Sequence, residues 1–191
     1  MGRSRDLADL ISGQGTLPDG SIPSGSLLQL VQSQDASNSV LTVGSNGGYA
    51  DTTLIVSLTP KFIGSTFIIS GSFCMTPDNS STVCTSRIVR VVNSVTTVIS
   101  PASTGSSSSG SADGFSHVYN TASPSLMGTN WTPFFIKDSS SSSPLEHTYK
   151  LQLGSSGAAY NVHYNQYGEA TAPYVDQWTP VSQMMVMEIK A

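Results

Sequence analysis

The chain has 191 residues, of which only 10% are charged against a usual share of about a quarter, and its formal net charge is −4 at pH 7. The few bases are scattered, with no run or stripe to neutralise a row of phosphates, so nucleic acid is not expected as a partner. Disorder normally goes with high charge; here the polar character comes from Ser, Thr, Asn and Gly, which favour turns and exposed strand faces.

Residues 1–25 differ in character from the rest of the chain. Ser4 can cap a short helix, with Asp6 in its first turn and Gly13 just past its end. Leu7, Leu10 and Ile11 fall at i, i+3 and i+4 and form one apolar stripe. A helix of about two turns is marginal in water, because nucleation is costly. It persists only if that stripe docks on something. Gly13, Gly15, Pro18, Gly20, Pro23 and Gly25 then punctuate an extended tether. Residues 1–25 are therefore expected to be a docking arm and linker, and residues 26–191 a single domain. The opening lacks the apolar stretch of a signal peptide, and nothing approaches the length of a membrane span. Synthesis in the cytoplasm and no membrane insertion are expected.

From Leu27 onward the pattern is that of strands. Leu27–Gln32 opens the body, and Thr52–Leu58 stops at Thr59-Pro60. In Ser65–Met75, residues Phe67, Ile69, Gly71, Phe73 and Met75 share one face while Ile68, Ser70, Ser72 and Cys74 share the other. Pro77-Asp78-Asn79 turns the chain. Val83–Val92 and Val95–Ile99 are β-branched and joined by Asn93-Ser94, which suits a tight hairpin. Phe115–Tyr119, Trp131–Ile136, His147–Leu153, Ala159–Tyr164 and Val181–Ile189 complete the set. Serine runs at 106–109 and 139–143 belong in surface loops. Beyond the arm no apolar pattern of period 3.6 lasts long enough for a helix. The fold class is all-β: an antiparallel two-sheet sandwich of the jelly-roll kind, with a short N-terminal arm or helix.

Catalytic and metal-binding constellations are weak. No Gly-x-Ser-x-Gly elbow accompanies the many serines, and His117, His147 and His163 all lie in predicted strands. Glu146, Glu169 and Asp176 show no glycosidase-like arrangement. No His-x-His pair, Cys/His cluster, phosphate loop or dinucleotide fingerprint is present, so no cofactor, metal or enzymatic activity is expected. Cys74 and Cys84 are too few for a disulfide framework, although they could face one another across a hairpin. Aromatic residues concentrate between Trp131 and Trp178. Among them Tyr160, Tyr164, Tyr167 and Trp178 are candidates for contact with another subunit or a glycan, with core packing as the plainer alternative.

Several segments together resemble a jelly-roll-like module of tailed-bacteriophage virion proteins of the marine and cyanophage type. These are Pro23-Ser24-Gly25-Ser26-Leu27-Leu28-Gln29-Leu30-Val31, Ser57-Leu58-Thr59-Pro60-Lys61, Thr148-Tyr149-Lys150-Leu151-Gln152-Leu153 and Ser182-Gln183-Met184-Met185-Val186-Met187-Glu188-Ile189. The opening Arg3-Ser4-Arg5-Asp6-Leu7-Ala8-Asp9-Leu10 is similar to the starts of such proteins. Modules of this kind occur as trimeric capsid decoration (cement) proteins and as tail-fibre heads. The resemblance implies a virion location, a homotrimer, and a major capsid protein or other virion protein as partner. The arm would supply the docking residues Arg3, Arg5, Asp6, Leu7, Leu10 and Ile11. A tail-fibre or spike head binding a host-surface glycan is the alternative within the resemblance, and a stand-alone lectin-like domain the alternative outside it.

Overall fold

The computed structural model describes residues 22–44, 48–77, 83–100, 115–119, 130–139, 143–155, 160–165 and 180–191. Eleven strands are present: β1 (Leu27–Asp35), β2 (Ser39–Val43), β3 (Tyr49–Leu58), β4 (Thr66–Pro77), β5 (Val83–Val92), β6 (Val95–Val98), β7 (Ser116–Tyr119), β8 (Asn130–Asp138), β9 (His147–Ser155), β10 (Tyr160–Tyr164) and β11 (Ser182–Ile189). Among the described residues there is no helix. The arm helix expected near residues 4–12 lies outside them.

The eleven strands lie on eight lines. β1 and β2 are successive halves of one line, and β10 and β11 are the halves of the antiparallel line beside it, since β1 pairs with β11 and β2 with β10. β4 pairs with both β11 and β10 on one side and with β8 on the other. In the second sheet β3 pairs with β9 and β9 with β5, while β6 and β7 lie along the two ends of β5. Numbered along the chain, the lines run 1-8-3-6 in the first sheet and 2-7-4-5 in the second, all antiparallel. That order is a jelly roll, as the strand pattern predicts.

The alternation along β4 is as expected. Phe67, Ile69, Phe73 and Met75 are buried against Leu54, Val56 and Leu58 of β3, Leu151 and Leu153 of β9, and Val186 of β11. Such side chains each gain roughly 1.5–3 kcal/mol on burial. The second face of β4 is half-buried at Ile68, Ser70 and Ser72, but Cys74 there is fully buried. Cys74 and Cys84 sit in different sheets and form no disulfide with one another. Asn93 (φ 49°) and Ser94 (φ 64°) both adopt left-handed backbone, the hallmark of a two-residue type I′ hairpin.

Two glycines mark close approaches within the sheets. At Gly71 a Cβ would lie 2.1 Å from the Gln183 carbonyl oxygen and 2.8 Å from Phe134 Cζ. At Gly154 it would meet the Tyr49 ring at 2.7 Å, because that ring lies across the strand. Strand β2 and the first part of β3 were not expected. Ser39-Val40-Leu41-Thr42-Val43 is short and sits between the polar 36–38 break and Gly44, so its alternation spans too few residues to register.

Candidate functional site

The expected arm residues Arg3, Arg5, Asp6, Leu7, Leu10 and Ile11 lie outside the described residues, and the root of the described chain is residues 22–26. Gly25 N donates to the Lys190 carbonyl at 2.8 Å, and Lys190 N donates to the Ser26 carbonyl at 2.9 Å. The Lys190 ammonium donates to the Ile22 carbonyl at 2.7 Å and lies 4.5 Å from the centre of the Phe62 ring. The chain from Ile22 to Ser26 is thereby fixed to the end of β11.

Beside this root stands Glu188, fully buried. Its carboxylate accepts from the backbone N–H of Lys61 (2.9 Å) and Phe62 (3.0 Å), from Ser65 Oγ (2.7 Å) and from Gln29 Nε2 (2.6 Å). One side chain thus binds the 59–65 loop between β3 and β4 to β1 and β11. Ionised acceptors make the stronger hydrogen bonds, which is how a carboxylate is held without water. A second interior clamp joins the two sheets. Arg90 Nη1 of β5 reaches both Asp138 oxygens of β8 at 2.8 and 2.7 Å, and the Tyr149 hydroxyl donates to Asp138 Oδ2 at 3.1 Å. Burial, reinforced by the Asp138 charge, pushes the Tyr149 phenol well above its ordinary range.

Among the described residues, His147, His163, Cys74 and Cys84 are buried in the sandwich. His147 is buried and packs edge-on against Phe67 at 5.0 Å between ring centroids. Burial, and then the neighbouring Arg90 charge, lower its pKa. His163 is buried in β10, and Glu146 is exposed just before β9. Glu169 and Asp176 lie outside the described residues, and so does the side chain of His117. Among the described residues no three His, Cys, Asp or Glu side chains converge on a metal-sized site. Burial raises the Cys74 thiol to about 12.

Of the four contact candidates on the aromatic C-terminal half, Tyr164 is fully buried and belongs to the core. It offers its ring to neither a subunit nor a glycan. Its hydroxyl faces Asp35, Ser182 and Asn165, and burial raises its pKa. Asn165 knots this region: its Nδ2 donates to the Asp35 carbonyl (2.8 Å) and the Ser37 carbonyl (3.1 Å), and its Oδ1 accepts from Ser182 Oγ (2.5 Å). Burial alone would raise the Asp35 carboxyl, but hydrogen bonds from Ser37 and Thr53 hold it below its usual value. The side chains of Tyr160, Tyr167 and Trp178 lie outside the described set.

Exposed apolar groups gather elsewhere. On the outer face of the first sheet, edge strand β8 presents Trp131 (52% exposed), Pro133 and Phe135 (71%), while Phe134 and Ile136 point inward. Phe135 pairs with Ser70 and Pro133 with Ser72 across the ladder. A hollow of about 390 Å³ opens on this face around Gln32, Ser70, Ser72, Gln183 and Met185, floored by Gly71. The sequence signal was the alternation of Trp131, Pro133 and Phe135 along a strand whose proline suits only an edge. The outer face of the second sheet differs. Arg87 lies 3.8 Å over the Tyr49 ring and bonds Gln152 at 2.7 Å, Gln152 bonds Asp51 at 2.6 Å, and Lys150 bonds Asp51 at 2.8 Å.

The described residues therefore define an antiparallel jelly roll whose residues 22–26 are bonded to the end of β11 and whose first sheet exposes Trp131 and Phe135 on its outer face. Comparison with solved structures finds chains of infectious bursal disease virus. The Gx strain structure aligns at 9% identity and TM-score 0.46, over 88% of this chain and 33% of that one. The Gt strain structure aligns at 11% and 0.44, over 93% and 42%, and the VP2 subviral particle at 12% and 0.43, over 87% and 33%. This chain thus spans a third to two-fifths of the length of those chains. Similarity at this level transfers neither family nor function. No protein-family model matches the sequence, and no characterised protein matches it either.

Proposed function

We propose that this chain is a non-enzymatic structural protein of a bacteriophage virion, a decoration (cement) protein that acts as a trimer and docks through residues 1–25. The observation that carries the reading is the fixed root of the arm, where Ile22, Gly25 and Ser26 are all bonded to Lys190. A tether held at its base can direct a docking segment outward without loosening the domain that bears it. The interior ionisable side chains Glu188, Asp138 and Arg90 act as clamps within the fold, which suits a protein that works by holding together. Edge strand β6 pairs only with β5 among the described residues and exposes Val95 and Val98 without a charged residue, an edge that favours association.

The stripe of Leu7, Leu10 and Ile11 supplies the docking energy, at roughly 1.5–3 kcal/mol per side chain before the entropy of ordering the arm is subtracted. One arm is weak, but three on a trimer act together, because each later docking is intramolecular. Arg3, Arg5, Asp6 and Asp9 set orientation more than affinity. The test is co-sedimentation of labelled protein with particles lacking it. Deletion of residues 1–20 leaves a folded trimer, by light scattering, that no longer attaches. Replacing Leu7, Leu10 and Ile11 with Ser does nearly the same, and Arg5→Ala only weakens attachment. Full retention by the deleted protein, or a monomer mass for the intact one, overturns the reading.

A further inference from the structure

The outer face of the first sheet mixes uncharged polar groups with apolar ones. The four central polar side chains Gln32, Ser70, Ser72 and Gln183 share the hollow with Met185, above Phe134 and Met184, and the exposed aromatic side chains Trp131 and Phe135 stand along one side. None of the four central side chains is hydrogen-bonded to another described residue, whereas the polar side chains on the opposite sheet are tied to one another across three strands.

Geometry fixes the shape of this surface. Residues 131, 133 and 135 point to the same side of β8, so the apolar stripe from Trp131 to Phe135 is roughly 13 Å long at about 3.3 Å per residue. Ser72 and Ser70 run alongside it on β4, one strand spacing or about 4.8 Å away. Gln183 and Met185 of β11 form the far wall, with Gln32 of β1 opposite Met185. An elongated ligand lying along β4 meets flat apolar surface on one flank and, on the other, hydroxyl and amide groups beside Met185.

No charged side chain lines the hollow, so an anionic ligand gains nothing there. A single-stranded nucleic acid, which also stacks on aromatic rings, needs a basic groove that this surface lacks. The ligand that presents an apolar face and a hydroxyl edge together, without charge, is a pyranose. We propose that this face is a binding site for a neutral oligosaccharide, with Trp131 and Phe135 stacking on sugar rings and Ser70, Ser72, Gln32 and Gln183 bonding their hydroxyls. This goes beyond the virion assignment and holds or fails independently of it.

The test titrates the full chain with neutral gluco-, manno- and xylo-hexasaccharides and an anionic oligogalacturonate, followed by calorimetry and by fluorescence of a Trp178→Phe variant, which leaves Trp131 as the reporter. At least one neutral hexasaccharide binds at millimolar concentration or below and shifts the Trp131 emission, and the galacturonate does not. Trp131→Ala and Phe135→Ala each weaken that binding about tenfold or more, as loss of a stacking anchor should, with melting temperatures unchanged because both side chains are exposed. Ser70→Ala, which removes the hydroxyl and adds no bulk, weakens it as well. Absence of binding to every neutral probe overturns the proposal. So does binding that survives both aromatic substitutions, or concentration-dependent self-association that Phe135→Ala abolishes, which makes the face a protein interface. Particle attachment of the Trp131→Ala protein, measured beside these titrations, reports on the virion role separately.

Discussion

Replacing Glu188 tests how the 59–65 loop is held to the first sheet. The side chain is fully buried and accepts hydrogen bonds from two loop N–H groups, one hydroxyl and one amide. Bonds to a charged acceptor are worth about 1.5–3 kcal/mol each. Glu188→Ala removes all of them at once, yet Gln29 keeps its bond to the Thr59 carbonyl at 2.7 Å and the loop N–H groups are only partly buried, so water replaces part of the loss. The net cost is roughly 3–5 kcal/mol, which for a chain of this size lowers the melting temperature by about 6–20 °C. Glu188→Gln keeps the shape and one acceptor but turns an amide NH₂ toward a donor, and is expected to fall between. Urea melts give the stabilities, and amide hydrogen exchange at Lys61 and Phe62 localises the effect. A Glu188→Ala protein within about 1 kcal/mol of the parent, or unchanged exchange at those two amides, refutes the account.

Two further outcomes are set by the interior. Gly71→Ala puts a methyl group 2.1 Å from a carbonyl oxygen, so β4 and β11 must part; a loss of roughly 3 kcal/mol or more in urea melts is expected, and a neutral effect contradicts the packing. The lowered pKa of His147 means that the unfolded chain takes up a proton near its ordinary 6.5 while the folded one stays neutral. Stability from this group is therefore complete above about pH 6.5 and declines as pH falls below it, by at most about 1.4 kcal/mol per unit. Melts at pH 7.5 and 5.0 check it, and His147→Phe should flatten that slope; an unchanged slope in the variant assigns the dependence elsewhere. Asp35, with its lowered pKa, contributes in a separate window, losing its share only as pH falls below about 3.8.

The sandwich was legible because its strands obey period-2 alternation over long stretches, as in residues 65–75, and because Asn93-Ser94 allows one turn type. The places where alternation failed are those where the line is broken. The 36–38 gap and the end of β10 are held by Asn165, whose bonds to Asp35, Ser37 and Ser182 join residues far apart in sequence, so no local pattern announces them. Tyr164 illustrates the limit for candidate sites. The segment Tyr160–Tyr164 alternates with polar or aromatic residues on both faces, and its inward face was settled by the partners in β2 and β4. The stripe of Trp131, Pro133 and Phe135 was readable as an aromatic concentration, but which ring faced outward depended on β8 lying at the edge beside β4.

The pairing of β11 between β1 and β4 also governs how the chain is made. β1 leaves the ribosome before every other described strand, yet its ladder partner is synthesised after all of them. Until residues 182–189 emerge, β1 has no ladder partner among the described strands and one side of the first half of β4 is open to them. Vectorial synthesis cannot complete the first sheet strand by strand. It must close in one late event that brings distant segments together, which is slow for a topology dominated by non-local contacts. Loss of β11 removes not an edge but the interior seam of a sheet, so chains without it carry unpaired apolar strands that favour aggregation.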